Sequence, residues 1–421
     1  MSRHYLEALF EPRSIAVFGA SPKPESVGGR VYRNLIEGGY TGAIYPINPR
    51  HTQLDGTPCH ANLDSLPTPI DLAIIATPAF TVPDILQSAG AHGVRAALVL
   101  SSGFERLTET GRSLEQRLLE TASRHGIRLL GPNSLGFMRP KARLDASFGN
   151  GLIQAGSLAL ISQSGALCSA ILDWASTQPI GFSTVVSVGD TTDIGFGDVL
   201  DYLALDPETR SILMYVEGVR DARRFMSGLR AAARLKPVVV IKAGRKPEGA
   251  KAAMSHTGTL IGADDVFNAA LERAGVVRAA TIEQLFAAAQ LLSTRTRLTG
   301  NRLAIITNAG GPGVMATDQI VEHGLSLSSL SPTTLTALAT ALPRQGDYGN
   351  PVDIQEDATP ERFATALEIV LKDEHVDGLL ILLTPQAMTL PTAVAEAVIR
   401  ISRTAKRPVL TCWLGEAQVR A

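Results

Sequence analysis

Few cysteines, little net charge and no long apolar run characterise this sequence of 421 residues. Its three cysteines, Cys59, Cys168 and Cys412, lie far apart and form no CxxC or CxxH pair. Cysteines that are few and far apart are typical of proteins from a reducing compartment. They give no support for structural zinc or a disulfide framework. The formal net charge of −1 argues against a nucleic-acid or anionic membrane surface, because both need a basic excess. A local basic pocket is compatible with this balance.

Signals for secretion or membrane insertion are also missing. Residues 1–7 lead into charged and proline-containing sequence rather than into an apolar signal region. The apolar runs, such as 376–383, are far shorter than the roughly 20 residues that a membrane helix needs, and Asp and Gly interrupt them. We therefore expect a cytoplasmic protein that has neither nucleic acid nor membrane as a partner.

Length and composition predict a globular chain of several domains. Hydrophobic residues make up 45% of the sequence and charged residues 19%, a balance typical of packed rather than disordered proteins. At 421 residues, the usual domain size predicts about two to four domains.

Short apolar runs alternate with helical patterns through the first third of the chain. We predict strands at 14–19, 43–48, 72–76, 96–100 and 128–131, with helices that include 30–38, 82–90 and 111–125. Nearly continuous apolar strands separated by helices indicate a parallel sheet that is covered on both faces. The sequence therefore predicts an α/β fold that begins with a Rossmann-like domain over residues 1–150.

The turn after the first strand predicts a ligand that carries phosphates. It lacks a literal GxGxxG, but it has Gly19 at the strand end and the pair Gly28-Gly29 before the predicted helix, which would let the backbone approach a phosphate. The acid that usually binds the ribose of NAD is missing after the second strand, and Arg50 stands there instead. A cation suits an additional phosphate, so the pattern favours a nucleotide-like ligand with several phosphates over an NAD-dependent oxidoreductase. A turn that only closes the sheet is the alternative.

A second α/β unit, predicted over residues 151–296, has the pattern of a flavodoxin-like domain. Ser164 and Gly165 open the helix after its first strand, where unpaired backbone amides and the helix dipole favour an anion. Glu217 follows the third strand, and we predict that His256 lies in a loop beyond the fourth, on the same rim. A carboxylate at that rim could hold one imidazole tautomer beside a bound anion. A surface role without chemistry is the alternative for Glu217.

A third unit, predicted over residues 297–421, repeats the order of strand, glycine-rich turn and helix. The backbone amides of Gly310, Gly311 and Gly313 would form a second anion site at this helix start. No final strand and helix are evident before the last residue. We therefore expect a flavodoxin-like domain that is incomplete at its C-terminus.

Six motifs in this order resemble the NDP-forming acyl-CoA synthetases, the family of succinyl-CoA synthetase and ADP-forming acetyl-CoA synthetase. The resemblance covers nearly the whole chain, in the order CoA-binding, phosphohistidine and ligase-type domain. The motifs are SIAVFGAS at 14–21, GPNSLG at 131–136, SQSG at 162–165, YVEG at 215–218, SHTG at 255–258 and NAGGPG at 308–313.

The resemblance implies a role for each group of residues. It implies that His256 becomes phosphorylated and that Glu217 orients it. It also implies two helix N-termini that hold the phosphoryl group, one at Ser164 and Gly165 and the other at the glycines of the third unit. The residues implied for a coenzyme A or acetyl-CoA site are Gly19, Ser21, Gly28, Arg50, Thr77, Pro78, Val82 and Asn133.

Two departures from the family pattern affect the expected function. Ser134 stands where the family commonly has cysteine, which is a minor change. More important, neither a lysine-containing β-rich lid nor the paired magnesium-binding acids of an ATP-grasp domain are found. The resemblance therefore implies that ATP or ADP binds with Mg²⁺ to an ATP-grasp domain or β subunit outside this chain, and that this chain holds no metal.

The expected activity is that of an ADP-forming acid–CoA ligase, which acts on a small carboxylic acid and CoA through acyl phosphate and phosphohistidine. An alternative is an acyl-CoA-sensing region, because the same domains resemble the N-terminal part of GNAT-type protein lysine acetyltransferases. The pair of His256 and Glu217 favours catalysis, since a sensor would not need it. Homo- and hetero-oligomers are both compatible with the sequence.

Overall fold

The computed structural model describes residues 4–104, 113–257, 262–294, 298–343 and 348–419, with the backbone alone for 254–257. The chain divides into two compact units, Met1–Thr294 and Arg295–Ala421. The first unit contains two large sheets, one parallel and one mainly parallel, and the second contains one parallel sheet. The prediction of α/β domains with parallel sheets is confirmed. The finer division at residues 150 and 296 stays a proposal.

The first sheet consists of five parallel strands in the order β2-β1-β5-β6-β7. A small hairpin, β3–β4, lies outside it. The strands are β1 Ser14–Phe18, β2 Ala43–Ile47, β3 Gln53–Leu54, β4 Thr57–Pro58, β5 Leu72–Ile75, β6 Ala96–Val99 and β7 Arg128–Leu130. The helices are α1 Glu7–Phe10, α2 Val27–Glu37, α3 Val82–Ala91 and α4 Leu114–His125, with a 3₁₀ turn at Ala79–Thr81.

Alternate residues of the central strands face opposite layers of helices. In β1, Ile15 and Val17 belong to one buried apolar cluster, whereas Ala16 and Phe18 belong to another. This alternation follows from the two-residue period of a strand, and it explains why the strand is apolar at nearly every position. The first cluster continues to Ile161 of the second sheet. The two sheets therefore share a core, which accounts for their union in one compact unit.

The second sheet has the order β14-β13-β12-β10-β11-β8-β9, in which β10 to β14 are parallel and β8–β9 is an antiparallel hairpin at the edge. Counted along the chain, the parallel strands follow the flavodoxin order 2-1-3-4-5. The strands are β8 Gly136–Arg139, β9 Leu144–Ser147, β10 Ala155–Ser162, β11 Phe182–Ser187, β12 Ser211–Val216, β13 Val238–Lys242 and β14 Val277–Ala279. The helices are α5 Gly165–Ser176, α6 Phe196–Leu205, α7 Ala222–Leu235, α8 Pro247–Thr257, α9 Asp264–Ala274 and α10 Ile282–Ser293, with a 3₁₀ turn at Pro140–Ala142.

The sheet of the second unit is also parallel, in the order β16-β15-β18-β19, with β17 paired to β15 as well. Its strands are β15 Arg302–Thr307, β16 Ser326–Leu327, β17 Val352–Asp353, β18 Gly378–Leu383 and β19 Val409–Trp413. Its helices are α11 Gly310–Glu322, α12 Pro332–Ala341, α13 Pro360–Val370 and α14 Pro391–Ser402.

Two local expectations were wrong. Helix α2 begins at Val27 rather than at residue 30, because Ser26 caps it by accepting a hydrogen bond from the Gly29 amide at 3.2 Å. The glycine pair therefore lies inside the first helical turn. The segment before His256 is not a loop but helix α8, which has Pro247 at its first position, where proline is well tolerated.

In the described part of the chain, no helix combines the length and the apolar character needed to cross a membrane.

Asp145 gives the fold an unusual pH dependence. It lies fully buried in β9, and its Oδ1 accepts hydrogen bonds from the Ser147 amide (3.1 Å) and hydroxyl (2.7 Å). Burial nevertheless raises the pKa of this carboxyl from 3.8 to about 6. Between these two pKa values the folded chain keeps a proton that the unfolded chain releases, so stability falls as the pH rises through this range.

We expect this loss to reach on the order of 3 kcal/mol by neutral pH. Asparagine keeps an acceptor at the same place but does not titrate, so Asp145→Asn should remove the loss. Thermal unfolding of both proteins at about pH 4 and about pH 7.5 measures the difference. An equal change with pH in both proteins would contradict the assignment.

Candidate active site

The strand order of each large sheet reverses at one point, and ligands of open α/β sheets bind beside that point, outside the carboxyl ends of the strands. In the first sheet the reversal lies between β1 and β5, which end at Phe18 and Ile75. In the second sheet it lies between β10 and β12, which end at Ser162 and Val216. The predicted site residues of this unit are found mainly in the turns that follow these ends.

The turn after β1 packs so closely that glycine is required. Gly19 has φ +85°, and a Cβ there would lie 2.9 Å from the carbonyl oxygen of Ala76. A Cβ at Gly28 would lie only 2.0 Å from the carbonyl oxygen of Gly19. The first turn of α2 therefore rests directly on the strand end. This packing requires the absence of a side chain at Gly28, in addition to any contact that Gly28 makes with a ligand.

A second loop joins this rim through Asn48, which the sequence did not single out as a functional residue. The Asn48 side-chain amide donates to the Ala20 carbonyl at 2.7 Å, and its oxygen accepts from the Arg50 amide at 3.0 Å. Asn48 thereby ties the loop after β2 to the turn after β1. It holds Arg50, which is exposed, at the same edge of the sheet.

The remaining predicted CoA residues follow other strands of the same sheet. Thr77 and Pro78 come two and three positions after the end of β5, and Val82 begins α3. Asn133 follows β7, with φ +56°, and its amide donates to the Ser101 carbonyl at 2.8 Å. Ser21 lies in the turn after β1, where its hydroxyl accepts from the Lys23 amide at 3.2 Å. All eight predicted residues therefore lie beyond the carboxyl ends of the strands.

At the reversal point of the second sheet, Ser164 caps helix α5. Its hydroxyl accepts from the Leu167 amide at 3.2 Å, and its carbonyl accepts from the Ser162 hydroxyl at 2.7 Å. Gly165 is the first helical residue, and a Cβ there would lie 3.2 Å from the Cβ of Leu135. The GPNSLG loop therefore packs against this helix start, which fixes where its amides point.

Glu217 and the start of α5 are joined by Gln163, a residue whose role the sequence analysis missed. The Gln163 Oε1 atom accepts hydrogen bonds from the amides of Glu217 (2.9 Å) and Gly218 (3.0 Å). Gln163 is 7% exposed and Glu217 is 6% exposed, so the link is shielded from water. The structure thus brings together Ser164, Gly165 and Glu217, as predicted from their positions after neighbouring strands.

The hydroxyl of Tyr215, on the strand that ends just before Glu217, interacts with the carboxylate of Glu217. Burial raises the pKa of Tyr215 to about 12, and the charge of Glu217 adds to this effect. Tyr215 therefore stays protonated at neutral pH and can act as a permanent donor to this carboxylate.

His256 lies in the last turn of α8, which begins at Pro247, five positions after the end of β13 at Lys242. The His256 side chain lies outside the described part of the structure, as does Gly258. The predicted contact between His256 and Glu217 therefore stays a prediction.

The second unit repeats the local arrangement found at α5. The Thr307 hydroxyl donates to the Ala309 carbonyl at 2.8 Å, as Ser162 does to Ser164. Asn308 then exchanges two hydrogen bonds, each of 2.8 Å, with the backbone of Thr384 after β18. Asn308 thus bridges the strand ends on either side of this reversal point, as Gln163 does in the second sheet.

The predicted glycines head helix α11 in that unit. Gly310 and Gly311 are exposed, and a Cβ at Gly311 would have nothing within 4 Å. Gly313 is instead buried, with a Cβ position 3.1 Å from Thr307. The open space at Gly311 suits an anion, whereas the Cβ position of Gly310 lies 3.5 Å from a carboxylate oxygen of Asp353 and Gly313 serves the packing of the helix on its sheet.

Comparison with known families agrees with this arrangement of sheets. Residues 13–140 match a CoA binding domain, residues 155–292 a succinyl-CoA ligase-like flavodoxin domain and residues 303–420 a ligase-CoA domain. The chain is 42% identical over 416 residues to the acetate–CoA ligase (ADP-forming) I α subunit of Pyrococcus furiosus, covering 97% of this chain and 90% of the subunit.

Two further similarities extend this result. The chain is 42% identical over 414 residues to acetate–CoA ligase (ADP-forming) I of Archaeoglobus fulgidus, covering 98% of this chain but 59% of that protein. It superposes with a TM-score of 0.91 on a dinucleotide-forming acetyl-coenzyme A synthetase 1 of Ca. Korarchaeum cryptofilum, which was solved with phosphate and ADP. That structure is 35% identical, with 98% of this chain and 90% of the other covered.

The three matched domains and their strand-end sites define a CoA-ligase type of α/β protein. The chain belongs to the family of ADP-forming acetate–CoA ligases. It corresponds to the part that Pyrococcus furiosus has as a separate α subunit, and it spans 59% of the single-chain Archaeoglobus fulgidus relative.

Proposed function

We propose that this chain is the CoA-binding and phosphohistidine-forming part of an ADP-forming acid–CoA ligase. The complete enzyme would interconvert acyl-CoA, ADP and phosphate with acid, CoA and ATP. Acetate is the acid of the most similar relatives reported above. The nucleotide, with Mg²⁺, would bind an ATP-grasp domain or β subunit, and the assembly would work in the cytoplasm.

Two reaction steps fall to this chain. A phosphate oxygen attacks the acyl carbon of acyl-CoA, which forms acyl phosphate and releases the CoA sulfur as a thiolate. A ring nitrogen of His256 then attacks the phosphorus of acyl phosphate, which forms phosphohistidine and releases the acid as a carboxylate. In this proposal Glu217 accepts a hydrogen bond from the other ring nitrogen, which leaves the attacking nitrogen with its lone pair.

The observation that carries the proposal is the Gln163 bridge between the start of α5 and Glu217. An anion at the α5 amides and an imidazole held by Glu217 would share one rim of the sheet. Backbone amides that are already oriented stabilise the charge of a transferring phosphoryl group without further rearrangement.

The first sheet supports CoA as the thiol substrate. Arg50 and Asn133 follow its two outermost strands, which are four strand spacings, or about 19 Å, apart. A ligand that contacts both has to be long and extended. The exposed Arg50 suits a phosphate, and the tight turn at Gly19 lets such a ligand approach the backbone.

The alternative of an acyl-CoA sensor fused to an acetyltransferase gains no support from the matched domains or the relatives reported above. A sensor also has no need for a buried carboxylate with fixed partners at the rim of the second sheet.

Incubation of the chain with acetyl-CoA and radiolabelled phosphate tests the proposal. We expect label that is stable to base and labile to acid, and that peptide mapping assigns to His256. The same incubation with CoA in place of acetyl-CoA is the control, because it supplies no acyl group. Acid-stable label, label on another residue or label that persists in His256→Ala would overturn the proposal.

A further inference from the structure

We infer that Gln163 and Lys242 are positioning residues that hold Glu217 in the geometry needed for phosphoryl transfer. The inference rests on the proposed function and adds two residues to it. Gln163 lies in the SQSG motif without an assigned role, Lys242 lies outside the six motifs, and both act through the backbone of Glu217.

The backbone of Glu217 is held from both sides. Its amide donates to Gln163 Oε1 at 2.9 Å, and its carbonyl accepts from the ammonium group of Lys242 at 2.8 Å. Lys242 also donates to the carbonyl of Ala243, the residue after its own strand. One ammonium group thereby ties together the ends of the neighbouring strands β12 and β13.

Lys242 is unusually well buried for a lysine at the end of a strand. It is 6% exposed, although a side chain of this length could reach water. Its ammonium group lies 5.6 Å from the centre of the Phe267 ring. Burial lowers the pKa of Lys242, while the negative charges of Asp264 and Glu217 oppose that effect and Arg278 adds to it. A buried ammonium group costs stability unless it has partners, and here its partners are the strand-end carbonyls.

The two contacts fix the backbone of Glu217 at its amide and its carbonyl, and the Tyr215 hydroxyl interacts with its carboxylate. A carboxylate that must hold one imidazole tautomer has to be located within a fraction of an ångström. Loss of one backbone anchor lets the strand-end turn move, and a displacement of about 1 Å costs roughly a hundredfold in rate.

Lys236 provides a matched control near the other end of the same strand. It precedes β13 at the opposite edge of the sheet, and its ammonium group also donates to two backbone carbonyls, those of Leu203 (2.5 Å) and Asp206 (2.6 Å). Burial lowers its pKa as well. A lysine that only stabilises the sheet should behave in the same way at either end.

The test measures the initial rate of phosphohistidine formation from acetyl-CoA and phosphate in Lys242→Met, Gln163→Met and Lys236→Met. We expect the first two to lose about a hundredfold in maximal rate with an unchanged KM for acetyl-CoA, and the third to keep the wild-type rate. Thermal unfolding shows which proteins are folded. Having two independent anchors keeps the test valid if one variant does not fold.

A double-mutant cycle distinguishes a loss of Glu217 positioning from a general loss of structure. If Lys242 acts through Glu217, then Lys242→Met in a Glu217→Gln background should cause no further loss of rate. The inference would be overturned by wild-type rates in Lys242→Met and Gln163→Met, by an equal loss in Lys236→Met, or by losses that multiply in the double variant. The proposed function would remain intact in each of these cases. Absence of label in the wild-type chain would instead overturn the proposed function, and this inference with it.

Discussion

A Glu217→Gln chain is expected to form phosphohistidine about 10³ to 10⁴ times more slowly than the wild type, the loss seen when a carboxylate that orients a histidine is neutralised elsewhere. Glutamine has nearly the same volume, and its oxygen still accepts from the Tyr215 hydroxyl that contacts Glu217. Its uncharged amide cannot stabilise the same imidazole tautomer or the positive charge that develops on the ring. Rapid-quench labelling with acetyl-CoA and phosphate measures the rate.

Acetyl-CoA binding should not change in this variant, because Glu217 lies at the rim of the second sheet and the predicted CoA residues lie at the rim of the first. Calorimetric titration checks that expectation. Glu115→Gln is the matched control, since Glu115 bonds to Thr192 and Arg220 in the loops after β11 and β12. A loss of less than tenfold in Glu217→Gln, or an equal loss in Glu115→Gln, would contradict the orienting role.

The main parallel strands could be predicted from the sequence, whereas the hairpins β3–β4 and β8–β9 and the short strands β14, β16 and β17 were not. Glu217 and Ser164 could be placed at one rim because each comes within two positions of a strand end, and the carboxyl ends of parallel strands share one edge. Local information was sufficient here, since the position of these residues depends on where a strand stops.

The contacts that hold the site could not be predicted in this way. Gln163 bonds to backbone amides 54 and 55 positions further along the chain, a pairing that exists only after β10 and β12 become neighbours. Lys242 is the polar last residue of an otherwise apolar strand, and its burial depends on the carbonyl of Glu217. One signal was present: an amide side chain follows the first strand of both flavodoxin-like sheets, at Gln163 and at Asn308.

The helix that carries His256 could have been recognised. Pro247 and the alanines that follow it are typical of a helix start and a helix interior. The Ser, Thr and Gly residues around the histidine are instead typical of a loop, which is why the sequence also fits a loop there. The structure shows that the helix extends to Thr257, so His256 is close to a helix end rather than within a loop.

Gly28→Ala is expected to weaken CoA binding by at least about a hundredfold and to destabilise the chain by about 3 kcal/mol, the upper end for an added methyl group in a packed site. Its Cβ would lie 2.0 Å from the carbonyl oxygen of Gly19 and 2.7 Å from the carbonyl carbon. Backbone atoms cannot rotate away as a side chain can, so α2 has to move by about 1 Å from the strand end. That movement changes the distance between the helix amides and the turn at Gly19, where the phosphates of CoA are expected.

Gly311→Ala is the matched control, because Gly311 is also the second residue of a helix that follows the first strand of a parallel sheet. A Cβ at Gly311 meets nothing within 4 Å, so alanine should stabilise the helix by about 0.5–1 kcal/mol and leave CoA affinity unchanged. Thermal unfolding and calorimetric titration with CoA measure both effects. If Gly28→Ala bound CoA normally, the close contact of α2 with the β1 turn would not be what shapes the CoA site. If both variants lost stability equally, glycine at these helix starts would act through backbone flexibility rather than through the space it leaves.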